Sequence, residues 1–75
     1  MDEGFILSNK FRKAVFAELV QGETDIEQIA KKHQIILNVA IRIADDFIRE
    51  EIIEKKGNRY FTTKHGEQLA TNIKV

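Results

Sequence analysis

Residues Thr24 to Glu54 read TDIEQIAKKHQIILNVAIRIADDFIREEIIE, and the rest of the chain is arranged around them. Thr24 and Glu27 fit a capping box: the Thr hydroxyl accepts from the backbone N–H three residues on, and the Glu carboxylate reaches back to the cap's own N–H. A helix is therefore expected to start here, with Ile26, Ile29 and Ala30 as its buried stripe. At His33, Gln34 and Ile35 that stripe breaks off without a glycine, and a second one begins in a new phase. From Ile36, Ala40, Ile43, Ala44 and Phe47 recur at the i, i+3, i+4, i+7 spacing of a core-facing helix. Asn38, Arg42, Asp45 and Arg49 fall on the opposite side, flanked by Leu37 and Ile41. The stretch thus predicts a short helix, a tight turn and a longer helix that runs out through Ile52 and Ile53 into a strand.

Working backward from this run, Ser8 or Asn9 can cap an earlier helix in which Phe11, Ala14, Val15 and Leu19 are spaced for burial, with Gly22 as its stop. Before it, residues 1–7 end in the apolar run Phe5-Ile6-Leu7, which reads either as an edge strand or as an arm laid over the core. Working forward, Lys56, Gly57 and Asn58 make a turn, and Arg59 to Thr62 returns as the second strand of a β-hairpin spanning residues 51–62. Thr62 or Thr63 then caps a last helix over residues 63–73, with Leu69, Ala70 and Ile73 on its inner side. The 75 residues contain no proline and no low-complexity segment, so a single mainly α domain with one small β-hairpin is expected over 1–75.

Composition narrows the function. A chain of this length has little core to spare, and dimerisation would add burial. It has no cysteine, which excludes disulfides and thiolate metal sites and makes a reducing cytoplasm the expected location. No apolar run approaches the roughly 20 residues of a membrane span, and the acidic Met1–Glu3 start lacks a signal peptide's basic segment. Twelve basic residues balance twelve acidic ones, which argues against a broad positive field. The charge is nevertheless unevenly placed. Residues 36–54 carry two arginines against five carboxylates, whereas residues 55–65 carry Lys55, Lys56, Arg59 and Lys64 with no acid.

Catalysis has no constellation to rest on. Ser8 is the only serine, and His33 and His65 stand far apart without carboxylates at metal-ligand spacing. Asp45 and Asp46 are neighbours, so a helix points them about 100° apart and they cannot share a proton. The four glycines are isolated, so no phosphate-cradling loop exists. No enzyme activity, cofactor or metal is expected.

Taken in order, these motifs resemble the winged helix-turn-helix regulators of bacteria and archaea, the group that includes the MarR-like and ArsR-like repressors. Ile29, Ala30, Lys31, Lys32, Gln34 and Ile35 look like that family's L-A-x-x-x-G-I helix and turn. Glu50 to Ile53 resemble its E-x-G-L-I exit, and Thr63 with Gly66 its L-T-x-x-G helix start. The chain departs from the pattern where Gln34 and Glu51 replace the two glycines, where Thr62 replaces leucine, and where apolar Ile36 and Leu37 open the second helix. The resemblance implies a three-helix bundle with a two-stranded wing and a C-terminal helix. In such a domain the helix-turn-helix, here residues 24–50, inserts its second helix into the major groove while the wing touches the backbone.

On that basis the expected function is duplex-DNA binding by a small, dimeric transcription regulator. Helix 36–49 would present Asn38 to adenine and Arg42 to guanine. Lys55, Lys56, Asn58 and Arg59 would hold phosphates from the wing, with Lys31 and Lys32 as secondary candidates. Two alternatives stay open. Arg42 can pair with Asp46 and Asp45 with Arg49 at i+4, as on any solvated helix. The second apolar line, Leu37, Ile41 and Ile48, can be covered by the Phe5–Leu7 arm or can serve as a homodimer or protein-partner interface, making the domain a protein-interaction module instead.

Overall fold

The computed structural model describes residues 2–73 and is mainly helical, with one two-stranded antiparallel sheet. In chain order the elements are α1 (Asp2–Leu7), α2 (Lys10–Val20), α3 (Ile26–His33), α4 (Leu37–Arg49), β1 (Ile53–Lys56), β2 (Arg59–Thr62) and α5 (Lys64–Ile73). Helices α2, α3 and α4 pack on one another; α1 rests on α2 and α5, α5 packs on α2 and β2, and the hairpin meets α2 through β2 and α4 through β1. No helix among the described residues is long and apolar enough to cross a membrane.

Both stripes of the central run face inward as their periodicity predicts. Ile26, Ile29, Ala30, Ala40, Ile43, Ala44 and Phe47 are all buried, and the Phe47 ring meets Phe5 and Phe16 edge-on at centroid distances of 6.0 Å. Helix α2 starts at Asn9, whose side chain accepts from the backbone N–H groups of Phe11 and Arg12.

The α3 cap differs from expectation. Asp25, not Thr24, is the N-cap, accepting from Glu27 N–H at 3.0 Å, so no Thr24–Glu27 capping box forms. Aspartate caps as well as threonine does, and starting one residue later leaves Thr24 outside the helix. Its carbonyl then accepts from Tyr60 N–H at 3.0 Å, adding a single rung beyond β2.

Residues 2–7 also depart from the expected strand or arm. They form an α-helix, closed by Ser8 N–H donating to the Gly4 carbonyl at 2.9 Å, and Met1 lies outside the described residues. The reason is packing: Ile6 is fully buried, Phe5 lies against Phe47, and α1 rests on α2 and α5, away from any sheet edge. It therefore does not lie along the Leu37–Ile41 line.

Among the described residues two non-glycine residues take left-handed backbone, Gln34 at φ 54° and Glu51 at φ 61°. They bracket α4. Gln34 ends α3, its N–H bonded to the Ala30 and Lys31 carbonyls, while Glu51 turns the chain from α4 toward β1. Gly57, at φ 62°, opens the two-residue turn between the strands. At the end of the chain Thr63 caps α5: its hydroxyl accepts from Gly66 N–H at 3.1 Å and donates toward the Glu51 and Ile52 carbonyls.

Candidate nucleic-acid interface

Cross-strand pairing fixes where the hairpin's cations go. Ile53 pairs with Thr62, Glu54 with Phe61, Lys55 with Tyr60 and Lys56 with Arg59. Side chains alternate across a sheet, so Ile53, Lys55, Tyr60 and Thr62 share the face that packs on the helices, and Glu54, Lys56, Arg59 and Phe61 share the other. The basic run that looked like one cluster is thereby split.

Each cation meets a different environment. Lys56 Nζ lies 3.2 Å from Glu54 Oε1 and 5.8 Å above the Phe61 ring, so its charge is already compensated on the outer face. Lys55 has no carboxylate partner among the described residues; its Nζ stands 5.6 Å from the Tyr60 ring centroid. Arg59 has none either, and its Nη1 donates to Thr24 Oγ1 at 2.8 Å.

Between the hairpin and α4 lies a groove of about 480 Å³. Ile26, Leu37, Ile41 and Tyr60 supply its apolar surface, Lys55, Asn58 and Arg59 its hairpin side, and Asp25 and Glu27 its α3 side. Leu37 and Ile41 are thus the wall that faces the hairpin. Ile41 and Ile48 are half-buried against the core, and Leu37 is 38% exposed. Apolar exposure is greater at the start of α4 than the sequence pattern suggested, with Ile36 at 73% and Val39 at 37%.

Asn38, Arg42, Asp45 and Arg49 are all exposed on the side of α4 away from the core. The ion pairing there differs from both i+4 pairs considered above. Arg49 Nη2 takes Asp46 Oδ1 at 2.6 Å, an i,i+3 contact, which leaves Arg42 without an ion pair among the described residues. The groove is lined by Lys55, Asn58 and Arg59; Arg59 starts on the same strand face as Lys56 and lines the groove while bonded to Thr24, whereas Lys56 lies against Glu54, and Asn38 and Arg42 sit on the neighbouring face of α4.

Of the two lysines ending α3, Lys31 is exposed and has no ion pair among the described residues, while Lys32 Nζ lies 3.0 Å from Glu18 Oε2. His33 Nε2 is 2.8 Å from that same oxygen, so one carboxylate of α2 holds the end of α3. The hydrogen bonds from His33 and then Lys32 keep the Glu18 carboxyl below its ordinary value of 4.5. A depressed carboxyl contributes stability above its unfolded-state pKa and loses it as pH falls through the folded value. The stability gap between wild type and Glu18→Gln should accordingly be level above about pH 5 and narrow below about pH 4.5. Urea midpoints across pH 3 to 7 check this, and a gap that stayed constant throughout would exclude the clamp.

Two features of the site escape sequence reading. The Thr24–Arg59 contact joins residues 35 apart, and its signal, the equally good cap at Asp25, is visible only as an ambiguity. The acidic side of the groove, Asp25 and Glu27, reads in sequence as ordinary first-turn acid favoured by the helix dipole. Compared with known proteins, the chain matches no family model, no curated protein and no solved structure.

Proposed function

We propose that the chain is a winged helix-turn-helix domain that binds duplex DNA, with α4 in the major groove and the hairpin as a wing on the sugar–phosphate backbone. The observation that carries this reading is that Arg42, Lys55 and Arg59, on and around one groove, have no carboxylate partner among the described residues. Lys32, Arg49 and Lys56 are each paired with an acid, while Lys10, Arg12, Lys13, Lys31 and Lys64 also lack an ion pair among the described residues but lie outside the groove. Uncompensated cations beside an open face suit phosphate, whose charge they meet without first breaking an ion pair. The left-handed backbone at Gln34 and Glu51 supports the same reading, since these are the positions where the resembling family places glycine.

In this arrangement Lys55 and Arg59 hold the backbone while Asn38 and Arg42 face base edges, Asn suited to adenine and Arg to guanine. The chain's zero net charge makes these local contacts the main source of attraction. Titration of a labelled duplex at low salt tests it. The Lys55→Ala, Arg59→Ala double variant should bind at least about tenfold more weakly, with the slope of log affinity against log salt reduced by about two. Lys56→Ala should change little, because its ammonium already rests on Glu54. Equal losses from Lys56 and from Lys55 would refute this division of the wing's cations.

A second reading has its own observation. Ile36, Leu37 and Val39 expose apolar surface at the start of α4, where phosphate contacts would need donors, and this suits a protein-interaction module working as a homodimer or with another protein. Absence of duplex binding at low salt, together with self-association that Leu37→Glu abolishes, would favour it.

A further inference from the structure

We infer that Thr24 is a positioning residue that holds Arg59 ready for a backbone phosphate, an inference that rests on the duplex-binding reading above. Arginine on a hairpin is long and flexible, and much of its rotamer freedom is lost when it binds. Here part of that ordering is already made, because Arg59 Nη1 donates to the Thr24 hydroxyl at 2.8 Å. The acceptor is itself anchored. Thr24 N–H donates to Glu23 Oε2 at 3.1 Å, and the Thr24 carbonyl accepts from Tyr60 N–H, next to Arg59 in β2, at 3.0 Å.

The chemistry of the acceptor matters as much as its place. A hydroxyl is neutral, so it orients the guanidinium without cancelling its charge, unlike the carboxylates that hold Arg49 and Lys56. One of five N–H donors is used, and the remaining edge keeps the planar fork that phosphate accepts in a bidentate manner. Nor does Thr24 have another helical task, because Asp25 caps α3. Position 24 is therefore free to set the direction of the wing's arginine.

Thr24→Val keeps the β-branched shape and the backbone rung while deleting the acceptor. We expect it to weaken binding of a labelled duplex about fivefold, the scale of one neutral hydrogen bond, and to leave the salt slope unchanged because Arg59 still reaches a phosphate. Thr24→Ser should restore wild-type affinity. In an Arg59→Ala background, Thr24→Val should have no further effect. If Thr24→Val fails to fold by circular dichroism, Thr24→Ala against Thr24→Ser provides the same comparison.

The outcomes separate cleanly. A wild-type chain that binds no duplex at low salt overturns the reading and this inference together. Duplex binding that is weakened by Arg59→Ala but untouched by Thr24→Val overturns the inference alone. A Thr24→Val loss that persists without Arg59 also overturns it, since the hydroxyl would then act through the fold and not through the arginine.

Discussion

Gly66→Ala is expected to destabilise the chain by about 3 kcal/mol, the upper end of overpacking effects. In an exposed helix the same exchange would be favourable by up to about 1 kcal/mol, so even the sign is diagnostic. Gly66 lies in the first turn of α5, and a Cβ there would overlap the Ile52 carbonyl oxygen and come within 2.7 Å of Thr62 Cγ2. The carbonyl has no easy retreat, because it accepts from Thr63 N–H at 3.0 Å and from the Thr63 hydroxyl at 2.9 Å. Moving it would undo the cap of α5 and the entry to β1 together. A 75-residue chain commonly has only about 4 to 11 kcal/mol of total stability, so a large part is at stake. Urea unfolding measures it, and an unchanged midpoint would mean that the α5–β1 approach is looser than described here.

Phe47→Ala should be at least as severe, about 3–5 kcal/mol, lowering the thermal midpoint by roughly 15–30 °C. The ring is fully buried and sits between Phe5 of α1 and Phe16 of α2, at interplanar angles of 72° and 75°. Truncation therefore opens a cavity where three helices meet and removes both edge-to-face contacts. Phe47→Leu should keep much of the stability, because it refills most of the volume. Thermal melts followed by circular dichroism distinguish the three chains, and a Phe47→Ala midpoint within a few degrees of wild type would show that the neighbouring helices collapse into the space.

Periodicity made α3, α4 and their buried faces legible, since Ile26, Ile29 and Ala30 in one stripe and Ala40, Ile43, Ala44 and Phe47 in the other keep a spacing that a helix buries on one side. It could not reach α1. Six residues are under two turns, and Phe5-Ile6-Leu7 has no period; only placement against α2 and α5 decides that Ile6 goes in and Leu7 stays out. The Thr24–Glu27 spacing pointed to the wrong cap by one residue, because Asp25 caps as well as Thr24 does, and that single step released Thr24 for Arg59.

The candidate site was legible as composition but not as geometry. A run of cations between Lys55 and Lys64 reads as one patch, yet strand alternation sets Lys55, still exposed, on the groove side and Lys56 on the other against Glu54. The environment of Arg42 likewise turned on a neighbour's choice, since Arg49 has Asp45 and Asp46 within one turn and took the nearer in sequence. Adjacent charges in sequence become neighbours, rivals or strangers only after the backbone is placed.

The rung between Thr24 and Tyr60 has a topological consequence. It closes a loop of chain that contains α3, α4 and β1, and so encloses Asn38, Arg42 and Lys55, with Arg59 beside the closing bond. Helices α1, α2 and α5 lie outside that loop. The fold is therefore divided, along the chain, into an outer frame and one inserted circuit that carries the whole proposed recognition surface. Loops closed over such separations form slowly, because their ends must find each other at an entropic cost that local helices do not meet. A ligand that bridges α4 and the hairpin would latch the circuit from outside, so that recognition and the order of this half of the molecule rise and fall together.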